Sequence, residues 1–214
     1  MNKPSSRELI LNRINRAAEK LLSKQATTLA YQQKEIYRPI GTDMLSCFKQ
    51  ELEMVSGQCF ICNGEEDMYL QLAALVDKKD LPYLYSRDVE ITRKLRNAGI
   101  KVEDNGDAFE QQTAGITCCD LLIARTGSIV VSTVKMSGRQ MHVFPPIHIV
   151  LAKESQLVSF PGDALEFMMK KFNGNLPSSM TIITGPSRTA DIEKTLVLGA
   201  HGPKELIIFV DKSQ

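Results

Sequence analysis

Met180-Thr181-Ile182-Ile183-Thr184, followed directly by Gly185-Pro186-Ser187-Arg188-Thr189 and Ala190-Asp191-Ile192-Glu193, is the stretch on which the fold turns. Its first five residues are β-branched or apolar and read as a strand. Glycine and proline then mark a tight loop, and Ala190–Leu198 reads as a helix. In this order the loop falls at the carboxyl end of a strand, where open α/β sheets bind ligands. Gly185 allows close backbone approach, Ser187 or Thr189 can cap the helix, and free N–H groups at its start favour an anion. Arg188 adds a planar fork suited to carboxylate or phosphate. The same spacing equally lets Arg188 pair with Asp191 or Glu193 and merely tie down the turn. The spellings of a P-loop or a dinucleotide-binding turn are absent.

Outward from this stretch, strand and helix signals alternate. Cys59–Cys62 reads as a strand. Gly64-Glu65-Glu66-Asp67 opens a helix with acid in its first turn and Met68, Leu72, Leu75 and Val76 on one face. Ser86 is read as the cap of a second helix, with Ile91, Leu95 and Ala98 inward and Gly99 as its stop. Asp120–Ala124 and Ser128–Val134 are strands, or one strand, broken at Thr126-Gly127. Ile147–Leu151 is a strand, and Asp163–Phe172 a helix with Leu165, Phe167, Met168, Met169 and Phe172 largely buried. Glu205–Val210 is the last strand. The pattern predicts a three-layer α/β/α domain over residues 40–214, with a mostly parallel or mixed sheet.

Residues 1–39 read as a helical extension. Ser5-Ser6-Arg7-Glu8 is spelled like a capping box, and Ile10, Ile14, Ala17 and Leu21 recur at helical spacing. Arg13, Arg16, Lys20 and Lys24 form a basic stripe, which is either a solvated face or a dock for an acidic partner.

Composition narrows the function classes. The chain of 214 residues carries 26 basic and 25 acidic side chains, so no overall field draws it to nucleic acid. No apolar run is long enough for a membrane span, and a charged segment stands where a secretory signal would be apolar, so a cytoplasmic protein is expected. Five cysteines are present. Cys59 and Cys62 have CxxC spacing, but on a strand residues three apart face opposite ways, so buried reduced thiols are expected rather than a metal or redox pair. Cys118 and Cys119 diverge similarly. No iron–sulfur, flavin or nicotinamide motif is visible, and no cofactor or metal is expected.

Other segments carry polar groups suited to a site. Arg125-Thr126-Gly127-Ser128 offers hydroxyls and a glycine beside a strand end, or a plain turn. Arg139 lies in a polar loop, residues 135–146, that leads through Pro145-Pro146 to His148, read either as a site residue or as a core histidine. Gly199-Ala200-His201-Gly202-Pro203 is a helix stop, unless His201 acts across an interface in a homo-oligomer. No nucleophile elbow occurs, and the three histidines form no metal-binding spelling. Anion-binding candidates are therefore Thr126, Gly127, Ser128, Arg139, His148, Gly185, Ser187, Arg188, Thr189 and Asp191.

Taken in order, Ala124-Arg125-Thr126-Gly127-Ser128-Ile129-Val130-Val131, Gly138-Arg139, Pro146-Ile147-His148-Ile149, Gly185 to Glu193, and Gly199 to Pro203 resemble the signature of LUD-domain proteins. That family includes the LutC-type subunit of bacterial lactate utilisation. The resemblance covers roughly residues 115–210 and is looser upstream. It implies a fold like that of ribose-5-phosphate isomerase and the CoA transferases. It also implies an accessory role in oxidising L-lactate to pyruvate beside iron–sulfur partner subunits. Many members carry an acidic residue where this chain has Arg125, so a chemical role of that acid does not carry over. Two other classes stay open. One is a stand-alone sugar-phosphate or acyl-CoA enzyme, by fold analogy, with Glu110, Asp120 or Asp191 as its carboxylate. The other is a regulatory effector-binding module.

Overall fold

A computed structural model describes residues 6–23, 40–41, 43–106, 109, 111–134, 137–189, 197–198 and 201–213. The chain divides into two compact units, Met1–Pro39 and Ile40–Gln214. In the first, helix α1 spans Ser6–Ser23, with Glu8 in its first turn. Ser5 lies outside the described residues. No helix among the described residues is long and apolar enough to cross a membrane.

The second unit begins with α2 (Met44–Met54), capped by the Asp43 carboxylate, which accepts from the Ser46 amide. Leu45, Phe48 and Leu52 recur on its buried side. Then follow β1 (Gln58–Cys62), α3 (Glu65–Lys78), β2 (Leu84–Tyr85), α4 (Val89–Asn97), β3 (Val102–Glu103) and β4 (Ala114–Cys118). The carboxylate of Asp88, not Ser86, caps α4 by accepting from the amides of Glu90 and Ile91; the Ser86 hydroxyl instead accepts from the Asp88 amide, one step earlier. The chain continues through β5 (Leu121–Ile123), β6 (Ser128–Ser132), β7 (Ile147–Lys153), β8 (Leu157–Val158), α5 (Pro161–Lys171), β9 (Met180–Ile183), β10 (Arg188–Thr189), β11 (Val197–Leu198) and β12 (Glu205–Asp211).

Six strands form the main sheet in the order β1-β12-β7-β4-β2-β3, every pair parallel. Its central strands are apolar on both sides: β12 is buried from Leu206 to Asp211 and β7 from His148 to Ala152. One face packs on α3 and α4 through Met68, Leu72, Leu75, Ile91 and Leu95. The other packs on α2 and on Leu122, Ile129 and Val131 of a smaller sheet. Cys62 enters the first core and Cys59 the second, as strand alternation requires. The α/β architecture with a mostly parallel sheet is therefore present, and a small sheet shares the second face with α2.

That small sheet has the order β8-β5-β6-β9. β5 and β6 form a hairpin through a 3-10 turn at Ala124–Thr126, closed by Gly127 in the left-handed region (φ 57°). β9 pairs antiparallel with β6 and is an edge strand with Ile182 exposed. The strand expected at Met180–Thr184 thus lies outside the parallel sheet, and the loop after it is not at that sheet's carboxyl edge. Of the helix expected over Ala190–Leu198, the described end, Val197–Leu198, is instead a strand paired antiparallel with Arg188–Thr189. Ala190 to Lys194, with Asp191 and Glu193 among them, lie outside the described residues. The outer face of the small sheet packs on α5 through Ala164 and Met168 alone, because one helical stripe meets Leu121, Ile123 and Val130. Leu165, Phe167 and Met169, expected inside, point off that stripe and are nearly half exposed.

Candidate functional site

Six of the anticipated residues converge, but on protein rather than on open space. Thr126, Gly127, Ser128, Gly185, Ser187 and Arg188 gather where α2 ends. A Cβ on Gly127 would stand 2.1 Å from the Leu52 amide nitrogen, so only glycine lets the turn lie against α2. Gly185 (φ 79°) meets the Val55 carbonyl at 2.8 Å in the same way. Ser128 Oγ donates to Thr126 Oγ1 and lies 2.7 Å from Thr184 Oγ1, which stitches the turn to the loop. Arg188 donates through Nη2 to the Val55 carbonyl (2.5 Å) and to Ser56 Oγ (2.6 Å). A guanidinium suits this position, because the end of a helix carries unpaired carbonyls and partial negative charge. The Ser187 amide donates to the Pro203 carbonyl at 2.8 Å. Arg125 pairs with Glu51 on α2 at 3.1 Å. Thr189 lies in β10, while Asp191 and Glu110 fall outside the described residues.

Arg139 and His148 lie elsewhere, near the other end of the β6–β9 ladder. Ser128 and Ser132 are the two ends of β6, a separation of roughly 13 Å along a strand. Beside Ser132 opens a cavity lined by Ser132, Thr133, Arg139, His142, Ser179 and Thr181.

 The volume of this cavity is about 270 Å³, close to the lower end of the range for small-molecule sites. Arg139 donates to Ser178 Oγ at 3.1 Å, and Thr133 Oγ1 lies 3.2 Å from the same hydroxyl. Ser132 Oγ and both ring nitrogens of His142 are buried with no hydrogen-bond partner. Buried polar groups are nearly always paired, so these three atoms are an unmet hydrogen-bonding demand next to the cavity, although none of them has accessible surface facing it.

Behind His142 stands His148, fully buried, with ring centroids 5.5 Å apart. His148 Nε2 lies 2.9 Å from Thr117 Oγ1, while its Nδ1 is unpartnered. Burial pushes the His148 pKa down to about 3, with the neighbouring His142 adding to the effect. Burial also lowers His142, opposed in part by the Asp120 carboxylate. Asp120 accepts from Lys171 Nζ at 3.3 Å through Oδ1 and leaves Oδ2 without a partner. His142 is one of the three histidines and belongs to no motif in the sequence. Its one signal was its place in the loop that carries Arg139, six residues before His148.

A second recess, about 330 Å³, lies at the carboxyl edge of the parallel sheet among Glu65, Tyr69, Asp88, Lys94, Lys153 and Asp211. The position is the one α/β sheets favour for ligands. Its lining has more carboxylates than lysines, and Lys94 is already paired with Glu65. Among the described residues, no three His, Cys, Asp or Glu side chains are grouped to hold a metal ion. Burial pushes the Cys59 and Cys62 thiols up to about 12 and about 11, which keeps them protonated and unreactive.

The family model described as the LUD domain matches residues 18–210. A protein named lactate utilization protein C from Bacillus subtilis is 36% identical over 48% of this chain and 44% of its own length. The protein of that name from Geobacillus kaustophilus is 35% identical over 50% of this chain and 45% of its own length. An uncharacterised protein from Neisseria meningitidis is 31% identical over 64% and 53%. The chain thus spans about half the length of the curated relatives it matches. A crystal structure of a DUF162 family protein from Deinococcus radiodurans has the same fold, with a TM-score of 0.60 at 18% identity over 81% of this chain and 99% of that one.

Proposed function

This chain belongs to the LUD-domain family, and from that premise we propose that it is a non-redox accessory component of L-lactate utilisation that binds a small anion beside Arg139. The names of its relatives support the lactate part. One observation carries the binding part: a cavity of about 270 Å³ has Arg139 in its lining, next to the buried side chains of Ser132 and His142. Electron transfer is assigned to iron–sulfur partner subunits. The thiols of this chain support that division, since Cys59 and Cys62 enter opposite cores, as do Cys118 and Cys119. In this reading the Gly185–Thr189 loop is scaffold.

Calorimetric titration with L-lactate and pyruvate tests the reading. Binding should weaken about tenfold to a hundredfold in Arg139→Ala, the scale of a charge-assisted hydrogen bond. The isolated chain, mixed with lactate and an artificial electron acceptor, should form no pyruvate above the blank. Robust turnover would contradict the accessory role.

A stand-alone sugar-phosphate or acyl-CoA enzyme is the second reading, favoured by the recess at the carboxyl edge of the sheet. The acidic lining there repels a phosphate ester, which ranks this reading second. Turnover of any such ester by the purified chain would reverse the ranking.

A further inference from the structure

The small sheet ends on one side in an unprotected strand edge. β9 is the last strand in its order and, among the described residues, pairs with β6 alone. The Thr133 amide donates to the Ser179 carbonyl at 3.1 Å. Hydrogen-bonded positions alternate along an antiparallel pair, so in this register Ser179, Thr181 and Ile183 are the residues bonded to β6. The amides and carbonyls of Met180 and Ile182 therefore point away from β6, to the open edge. Both central residues of β9, Thr181 and Ile182, are exposed. Natural proteins blunt such an edge with charge, proline or a very short strand. β8, at the opposite end of this sheet, has only two residues and leads into Pro161. β1, at one end of the main sheet, fully exposes only Gln58. β9 has no such protection, and no charged residue occurs between Lys171 and Arg188.

We propose that β9 pairs antiparallel with β9 of a second copy of the chain, joining two four-stranded sheets into one. The edge is self-complementary. About a twofold at Thr181, Met180 and Ile182 of one copy exchange hydrogen bonds with Ile182 and Met180 of the other. Ile182 then packs against Met180 of the second copy on the outer face. The lack of charge removes repulsion between the identical surfaces. A different protein would need an edge matched to this one, whereas a second copy carries it already. Thr181 also lines the Arg139 cavity. Directly opposite residues lie on one side of a sheet, so the second copy sets its own Thr181 beside that cavity. The pairing itself does not depend on what the cavity binds.

Sedimentation velocity of the whole chain at micromolar concentration tests the proposal and should show a dimer. Ile182→Pro removes an amide that β6 does not use, so it should give a folded monomer, with folding checked by circular dichroism. Ile182→Lys should do the same by placing charge on the edge. Thr181→Cys supplies a readout that needs no disruptive change. At the twofold its thiol stands opposite the same thiol of the second copy, in a non-hydrogen-bonded pair where side chains approach closely. Mild oxidation should therefore cross-link this variant into dimers on a non-reducing gel, to a degree the wild type does not reach. A monomeric wild-type chain would overturn the proposal. So would a dimer that persists in a folded Ile182 variant, or one in which Thr181→Cys fails to cross-link, since either places the interface elsewhere. If neither Ile182 variant folds, the Thr181→Cys result decides.

Discussion

The Gly185–Thr189 loop and the Arg139–His142 turn draw on similar residues, an arginine with glycine and hydroxyl groups near it, and use them in opposite ways. In and beside the loop, polar groups meet protein partners: Arg188 holds the end of α2, the Ser187 amide meets Pro203, and the adjoining Thr184 meets Ser128. Around Arg139 the buried groups of Ser132 and His142 have none. The composition of a segment therefore does not reveal whether its donors face a ligand or the rest of the fold. The accounting of partners does.

Substitutions at the two glycines should separate the regions most sharply. Gly127→Ala drives a Cβ into the α2 backbone at a residue with positive φ. It should cost about 3 kcal/mol or more, read as a lower denaturation midpoint. Gly138, beside Arg139, has positive φ but only the tip of Arg87 within 4 Å, at 3.8 Å. Gly138→Ala should cost about 1 kcal/mol, from backbone conformation alone.

Acid should act next most strongly, and through the second region. The folded-state pKa of His148 is depressed to about 3 from an ordinary value of 6.5. Between those values the unfolded chain binds a proton that the folded chain does not. Stability from this source is complete above pH 6.5 and falls with pH by about 1.4 kcal/mol per unit. Urea titrations at pH 7 and pH 5 should therefore differ by about 2 kcal/mol more in wild type than in His148→Gln. An equal dependence in both would show that the ring is not kept neutral.

Two serines on β6 give a smaller and cleaner contrast. Ser128→Ala breaks contacts with Thr126 and Thr184 and should cost about 1 kcal/mol. Ser132→Ala removes an unpaired hydroxyl and should leave thermal stability within about 0.5 kcal/mol. Comparable losses would mean that Ser132 has a partner in the free protein.

Much of the fold is legible in the sequence because periodicity reports burial. The alternation at Cys59 and Cys62, the acid-led start of α3 and the apolar run of β12 all appear where their patterns place them. What periodicity does not report is which sheet a strand joins. Met180–Ile183 has the composition of a buried parallel strand, yet it lies on the edge of the small sheet because its partner is β6. The site was half legible for a related reason. Arg139 stands out as a cation in a polar loop, but the value of His142 comes from neighbours distant in sequence, Ser132 and Thr181. The apolar spelling around Phe167 similarly overstates burial, since α5 touches the sheet along one stripe.

The central claim is that Arg139 meets the ligand while Arg188 meets the protein. Calorimetric titration of L-lactate into Arg139→Ala and Arg188→Ala, each with its melting temperature recorded, tests this most directly. The account predicts at least about tenfold weaker binding with little change in stability for Arg139→Ala. For Arg188→Ala it predicts unchanged affinity and a loss of about 1 kcal/mol in stability. Full affinity in Arg139→Ala together with lost affinity in Arg188→Ala would contradict it and return the site to the Gly185–Thr189 loop.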